Sequence, residues 1–229
     1  MKDYWPVIAL FFVGISVFAQ DSNKRIDWGL KGGFNSGICL INDFSMDGKE
    51  IKHPENIYKV GLTGSLFMRV NLNKMYLQTE AGYYYTRGSL EFNFTDESEN
   101  NNTVDLSWEF NSMGIPVLFG YHIIKVPPYG FNLYAGPKIS KIIVAKKVFN
   151  VDHNTYPLNY DFKPHYPSLV CGFGVSISKL FFDFRYEFGL KNYLNGITYT
   201  SSSGSENPFG EMIMKGRMNA MSFSGGFIF

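Results

Sequence analysis

The chain has 229 residues and a formal net charge of +1, so it offers no basic field to hold a nucleic-acid backbone. Aromatic residues make up 17% and glycines number 23. That excludes disorder and disfavours a helical bundle, because Phe, Tyr and Gly are mediocre or poor helix formers. The composition points to an all-β protein.

At the start, Lys2 precedes an uncharged apolar run from Tyr4 to Ala19. The run is too short for a comfortable transmembrane helix, which needs about 20 apolar residues. It fits a secretory signal peptide with cleavage after Ala19, so residues 1–19 read as the signal and 20–229 as one mature domain. No later stretch approaches the length of a membrane-spanning helix.

After the signal, strand-like segments alternate with polar breaks. In residues 26–34, Ile26, Trp28, Leu30 and Phe34 interleave with Asp27, Gly29, Lys31 and Gly33. Successive side chains of a strand point to opposite faces, so one face is apolar and the other polar. Residues 36–56 read as a long polar loop. Residues 58–72 form the clearest strand, and Asn73-Lys74 reads as a tight turn. Residues 75–94 are followed by an acidic, Asn-rich loop over 95–103. The strand over 104–121 changes phase near Asn111-Ser112, which predicts a bulge or a short break. Pro116 sits awkwardly there, since proline cannot donate to a ladder. A connection with two prolines spans 122–130, and a strand covers 131–148. A long loop over 149–165 leads to strands at 169–177 and 181–190, joined by Ser178-Lys179. A Ser-, Gly- and Asn-rich loop over 191–214 precedes the last strand, 215–229.

Eight strands with alternating long and short breaks describe an antiparallel up-and-down barrel with both mature ends at the short-turn rim. Such barrels are soluble carriers with an apolar interior, or transmembrane barrels with an apolar exterior. Three features favour the transmembrane kind. The signal exports the chain. The polar face is rich in small residues such as Gly61, Ser65, Gly82 and Gly172, which suit a narrow filled lumen. The chain also closes on Phe223, Phe227 and Phe229, all on one face. Leu62, Leu66, Phe173, Phe182, Phe184 and Phe223 are then expected to face outward, and Glu80, Asp183 and Arg185 inward.

Short stretches along the chain carry a resemblance. They are 28–35 (WGLKGGFN), 77–83 (LQTEAGY), Ile115-Pro116, 133–137 (LYAGP) and Arg185-Tyr186. In this order they resemble the PorT-like outer-membrane β-barrel family of Gram-negative bacteria. The resemblance implies an outer-membrane location and contact with lipid and lipopolysaccharide. It also implies recognition of the strand ending in Phe229 by the outer-membrane assembly machinery. One member is linked to protein secretion, so an accessory role in a secretion assembly is among the implied functions.

Little chemistry is visible. His53, His122, His153 and His165 lie in or beside predicted connections, without a nucleophile motif. Cys39 and Cys171 lack neighbouring ligands at metal spacing. No catalytic, cofactor-binding or metal-binding residue is expected. Asp96, Glu97, Glu99 and Asp105 lack the spacing of a calcium loop and read as solvated. Tyr83, Tyr84, Tyr85, Tyr121, Tyr129 and Trp108 fall toward strand ends, where interfacial girdles sit.

Buried charges are costly unless paired, so the inward charges should form a network of Glu80, Asp183, Arg185 and Glu187. Lys59, Arg69, Lys138 and Arg217 are further candidates for it. Such a network either plugs the barrel or gates a narrow water path. The expected function is a non-enzymatic structural or loop-mediated interaction role, with a narrow channel for small solutes as the alternative.

Overall fold

A computed structural model describes residues 26–46, 49–50, 55–95, 101–151, 154–157, 165–191, 194–197 and 212–229. The expected signal peptide, His53, His153, Asp96, Glu97 and Glu99 lie outside the described residues.

Eight strands form a closed antiparallel ring. They are β1 (Ile26–Met46), β2 (Gly61–Leu72), β3 (Met75–Thr95), β4 (Asn101–Val126), β5 (Tyr129–Val151), β6 (His165–Ile177), β7 (Leu180–Gly189) and β8 (Met212–Ile228). Each pairs with its neighbour in sequence, and β8 returns to β1 from Gly29↔Ile228 to Met46↔Met212. Closure leaves the ring without a free sheet edge. Three two-residue turns join strands at one rim: Asn73-Lys74, Pro127-Pro128 and Ser178-Lys179. Asn73 and Ser178 take the left-handed conformation, at φ of 60° and 57°. Asparagine visits that region readily, which suits it to a tight turn. The chain end lies at this rim too, where the Phe229 N–H donates to the Trp28 carbonyl at 2.8 Å.

The expected loops shrink because the strands run further than their alternation suggested. β1 continues through residues 36–46, β3 reaches Thr95, and β4 begins at Asn101. On the short-turn side, β4 and β5 extend to Val126 and Tyr129, which cuts the expected connection over 122–130 to its two prolines. Four short strands, Lys49–Glu50, Glu55–Ile57, Asn154–Pro157 and Leu194–Ile197, pair at the opposite rim.

In the half of the ring near the turns, the outer face is apolar. Leu62, Leu66, Phe173, Phe182 and Phe223 are exposed there, and the half-buried Phe184 packs on Phe173 with ring centroids 5.5 Å apart. Glu80, Asp183 and Arg185 are buried in the interior. The outward placement of Phe182 removes the soluble-carrier alternative, which needed it to line an apolar cavity.

On β3 and β4 the two faces exchange character towards the other rim. On β4, Leu106, Trp108 and Phe110 are buried, while Asp105, Ser107, Glu109 and Asn111 alternate with them on the outer face. On β3, Leu90 and Phe92 are likewise buried. Outer polar side chains bond across the two strands. Tyr83 donates to Asn111 at 2.8 Å, Arg87 pairs with Glu109 at 2.9 Å, and Ser89 meets Asp105.

This exchange corrects three expectations. A bulge does fall at Asn111-Ser112, as expected, but the phase change there is a change in which face is apolar and not a shift of β4 itself. Even-numbered residues of β4 stay buried from Leu106 to Gly120. The extra residue lies on β5 instead, since Asn111 faces Val144 and Ser112 faces Ile142, leaving Ile143 unpaired. Trp108 and Tyr84 are inside rather than in an outer girdle. Asp105 sits on a paired strand, with bonds from Ser89 and Ser107, rather than in a solvated loop. Pro116 is accommodated because the β3–β4 register passes from Thr79↔Val117 to Gly82↔Gly114, so no ladder bond from its nitrogen is needed there.

Candidate functional site

Period-two alternation aims every second side chain of each strand into the ring, and at mid-height those side chains are charged. Lys31 comes from β1, Gln78 and Glu80 from β3, Asp183 and Arg185 from β7. Arg185 reaches across the interior and donates to both oxygens of Glu80, each at 3.0 Å. This forked geometry suits a planar guanidinium and a carboxylate. The Arg185 Nη2 also donates to Asp183 at 2.7 Å. Lys31 bridges the same carboxylates, at 3.1 Å from Glu80 and 2.9 Å from Asp183.

The remaining acceptor sites are also filled. Gln78 donates to Glu80 at 2.6 Å, while Tyr134 and Ser224 donate to Asp183. Two cations and two anions cancel, and each carboxylate is surrounded by donors. That is the arrangement in which buried ions are tolerated. Toward the turn rim, Arg69 donates to Gln78 at 2.7 Å and lies 4.3 Å over the Tyr76 ring.

Glu187 belongs to a second cluster. It pairs with Lys138 at 2.6 Å and accepts from Ser168 at 2.6 Å. The Lys138 ammonium sits 3.6 Å from the centre of the Tyr84 ring. Expecting all four acidic and basic residues in one network ignored height. Glu187 is two residues beyond Arg185, about 7 Å further along the strand, and so meets a different partner.

Of the further candidates, Arg69 and Lys138 are buried inside. Lys59 is not. It donates to Ser107 of the outer polar ladder at 2.8 Å and lies 3.9 Å from Asp105. Arg217 is exposed. Lys31, on the polar side of its strand between Leu30 and Gly32, joins the cluster without having been among the expected members. Tyr134 and Ser224 carried no signal, because uncharged polar residues are ordinary in a lumen-facing position.

His122 is half-buried at the turn rim, 5.0 Å from the Tyr76 ring, and His165 is exposed. Cys39 and Cys171 form no disulfide. Among the described residues, no group of three His, Cys, Asp or Glu side chains is arranged to hold a metal ion.

The family model of the outer membrane protein beta-barrel domain matches residues 18–195. OprG, an outer membrane protein of Pseudomonas aeruginosa, is similar in fold, with a TM-score of 0.51 at 11% identity. The match covers 89% of this chain and 95% of that one. Neisserial surface protein A matches at a TM-score of 0.37 and 10% identity, over 91% of this chain and 100% of that one. Ail of Yersinia pestis, solved with the heparin analogue sucrose octasulfate, matches at 0.34 and 12% identity, over 90% and 99%. No curated protein matches the chain in sequence.

Proposed function

The chain belongs to the outer membrane protein beta-barrel domain family, and we propose that it is a closed, non-enzymatic up-and-down barrel of the Gram-negative outer membrane. In this reading the eight strands cross the bilayer. The long-loop rim, carried outward on a water-exposed extension of the barrel, is the part that meets other molecules. Export by a signal peptide over residues 1–19 and assembly through the strand ending in Phe229 belong to the same proposal. So does contact with lipopolysaccharide. The ordered motifs from Trp28 to Tyr186 favour the PorT-like members of the family.

Two observations support the membrane placement. The outward apolar face of β3 runs from Met75 to Tyr83, and that of β4 from Met113 to Tyr121. Each is about nine residues, the length a tilted strand needs to cross hydrocarbon. Tyr83, Tyr121 and Tyr129 lie outside at its ends, where an aromatic girdle belongs. Replacing Leu66, outside and 65% exposed, with Arg is therefore expected to destabilise the folded barrel by about 2–4 kcal/mol in lipid. Urea titration in bilayers checks this, and a Leu66→Arg barrel as stable as wild type would count against membrane insertion of that face.

The carrying observation for closure is the self-neutralised cluster of Lys31, Glu80, Asp183 and Arg185, which spans the interior from β1 to β3 and β7. A wide aqueous path needs its polar groups turned to water, whereas these are turned to one another. The full-length barrel in planar bilayers is expected to give no discrete conductance steps. Regular steps in the wild-type protein would favour the narrow solute channel instead.

A further inference from the structure

We propose that Lys141 and His165 hold the phosphate of an outer-leaflet lipid, with an acyl chain of that lipid laid along the apolar strip beneath them. The inference rests on the membrane-barrel reading and gives its contact with lipopolysaccharide a place and a chemistry. Strand register brings the two residues together, since Lys141 of β5 lies directly opposite His165 of β6. Opposed residues of an antiparallel pair have Cα atoms about 4.5–5.5 Å apart, so their side chains leave the sheet side by side. Both are exposed, while Ser140 and Ile142 on either side of Lys141 are buried. The pair therefore stands on the outer face.

Its height is that of lipid headgroups. Across the ladder, Lys141 faces Met113, which in turn faces Tyr83. These are the residues at which the outer apolar faces of β4 and β3 end. Along β5, Lys141 is separated from Tyr129, the outer aromatic residue near the turns, by a continuous strand. At about 3.3 Å per residue and a tilt of about 40°, that stretch of strand rises about 30 Å, just past an apolar band about 25 Å tall. Lys141 lies at the end of this rise on the long-loop side, which faces outward in the membrane reading.

The charge there is unbalanced. Beside β3 and β4, the cations beyond the apolar band already have acids, with Arg87 on Glu109 and Lys59 near Asp105. Among the described residues, no Asp or Glu pairs with Lys141 or His165. The outer neighbours of Lys141 are instead Met113 across the ladder, Ile139 below, and Ile143 and Val144 above, all exposed. The extra residue on β5 is what sets two apolar side chains in succession above it. An ammonium at a lipid edge, with apolar neighbours and no acid, favours a headgroup anion. His165 supplies an N–H donor whichever protonation state it takes. Below the pair, Ile139, Pro137 and Leu169 continue the outer face without a polar side chain. A free phosphate would use only the two donors, whereas a phosphorylated lipid uses the donors and the strip.

Native mass spectrometry of the full barrel in neutral detergent tests the site, with bis-phosphorylated lipid A as the probe. The wild-type protein is expected to retain it. Lys141→Gln should weaken retention about fivefold, the worth of one basic residue near an anionic surface. Adding His165→Gln should weaken it further. Arg87→Gln is expected to bind as wild type does, because Glu109 already holds that charge. Wild-type retention by the double variant overturns the site, and so does an equal loss in Arg87→Gln. Lipid A stripped of its phosphates binding as tightly overturns the phosphate, and inorganic phosphate competing at the concentration of the lipid overturns the lipid. Failure of the membrane reading appears elsewhere, in the stability of Leu66→Arg in bilayers.

Discussion

Arg185→Ala is expected to cost about 3–5 kcal/mol of stability, the range for breaking a buried ion pair by removing one partner. For a chain of this length that corresponds to a fall of about 10 °C in Tm. The cause is the pair of carboxylates left behind. Glu80 loses both arms of the fork, Asp183 loses its 2.7 Å donor, and Lys31 alone must balance two negative charges. Adding Glu80→Gln to Arg185→Ala should recover part of the loss, since it removes the charge that lacks a partner. Arg185→Lys should fall between, because an ammonium keeps the charge but not the fork. Thermal unfolding in detergent ranks the three variants, and an unchanged Tm for Arg185→Ala would defeat the argument. If the cluster is a plug, the variant stays silent in planar bilayers. New conductance steps would make it a gate.

Trp108→Ala is expected to cost as much again, about 3–5 kcal/mol, as large-to-small changes at buried aromatic positions do. Trp108 is only 4% exposed. Its indole fills the space left by Gly88, where a Cβ would run into the ring. Tyr121→Ala is the matched control, because Tyr121 is on the outer face and 42% exposed. A tryptophan in an outer girdle would behave like Tyr121. Thermal unfolding of both variants in the same detergent decides between the placements. Equal losses would mean that the apolar interior near the long-loop rim contributes nothing particular to stability.

The all-β class, the eight long strands and two of the three tight turns were legible in the sequence, because each is written in adjacent residues. Alternation at period two needs only a run such as Tyr58 to Leu72, and Asn73 marks its own turn. The inward direction of Glu80, Asp183 and Arg185 followed from the same alternation. The partner of each charge did not. Which carboxylate Arg185 reaches depends on strand tilt and on height within the ring, and neither is a property of any one segment. That is why Glu187 was grouped with the wrong cluster and Lys31 was passed over.

The strand limits were misread for a different reason. Reading by alternation assumes one polarity for each face along a whole strand. That assumption holds only where the outside is uniformly apolar. Past Tyr83 and Met113 the outer face turns polar, and the interior must then bury Leu90, Leu106 and Trp108 as a water-soluble barrel would. The residues where the pattern reverses looked like a bulge on β4 or a loop, although the backbone continues unbroken through them.

By itself, then, the sequence determined a closed sheet of alternating strands with charges on the inner face, since local spacing decides which way a side chain points. Only the tertiary structure decided which charges neutralise one another and where the apolar side passes from the outside to the inside. Those outcomes depend on contacts between residues as distant as Lys31 and Asp183, which no local pattern encodes.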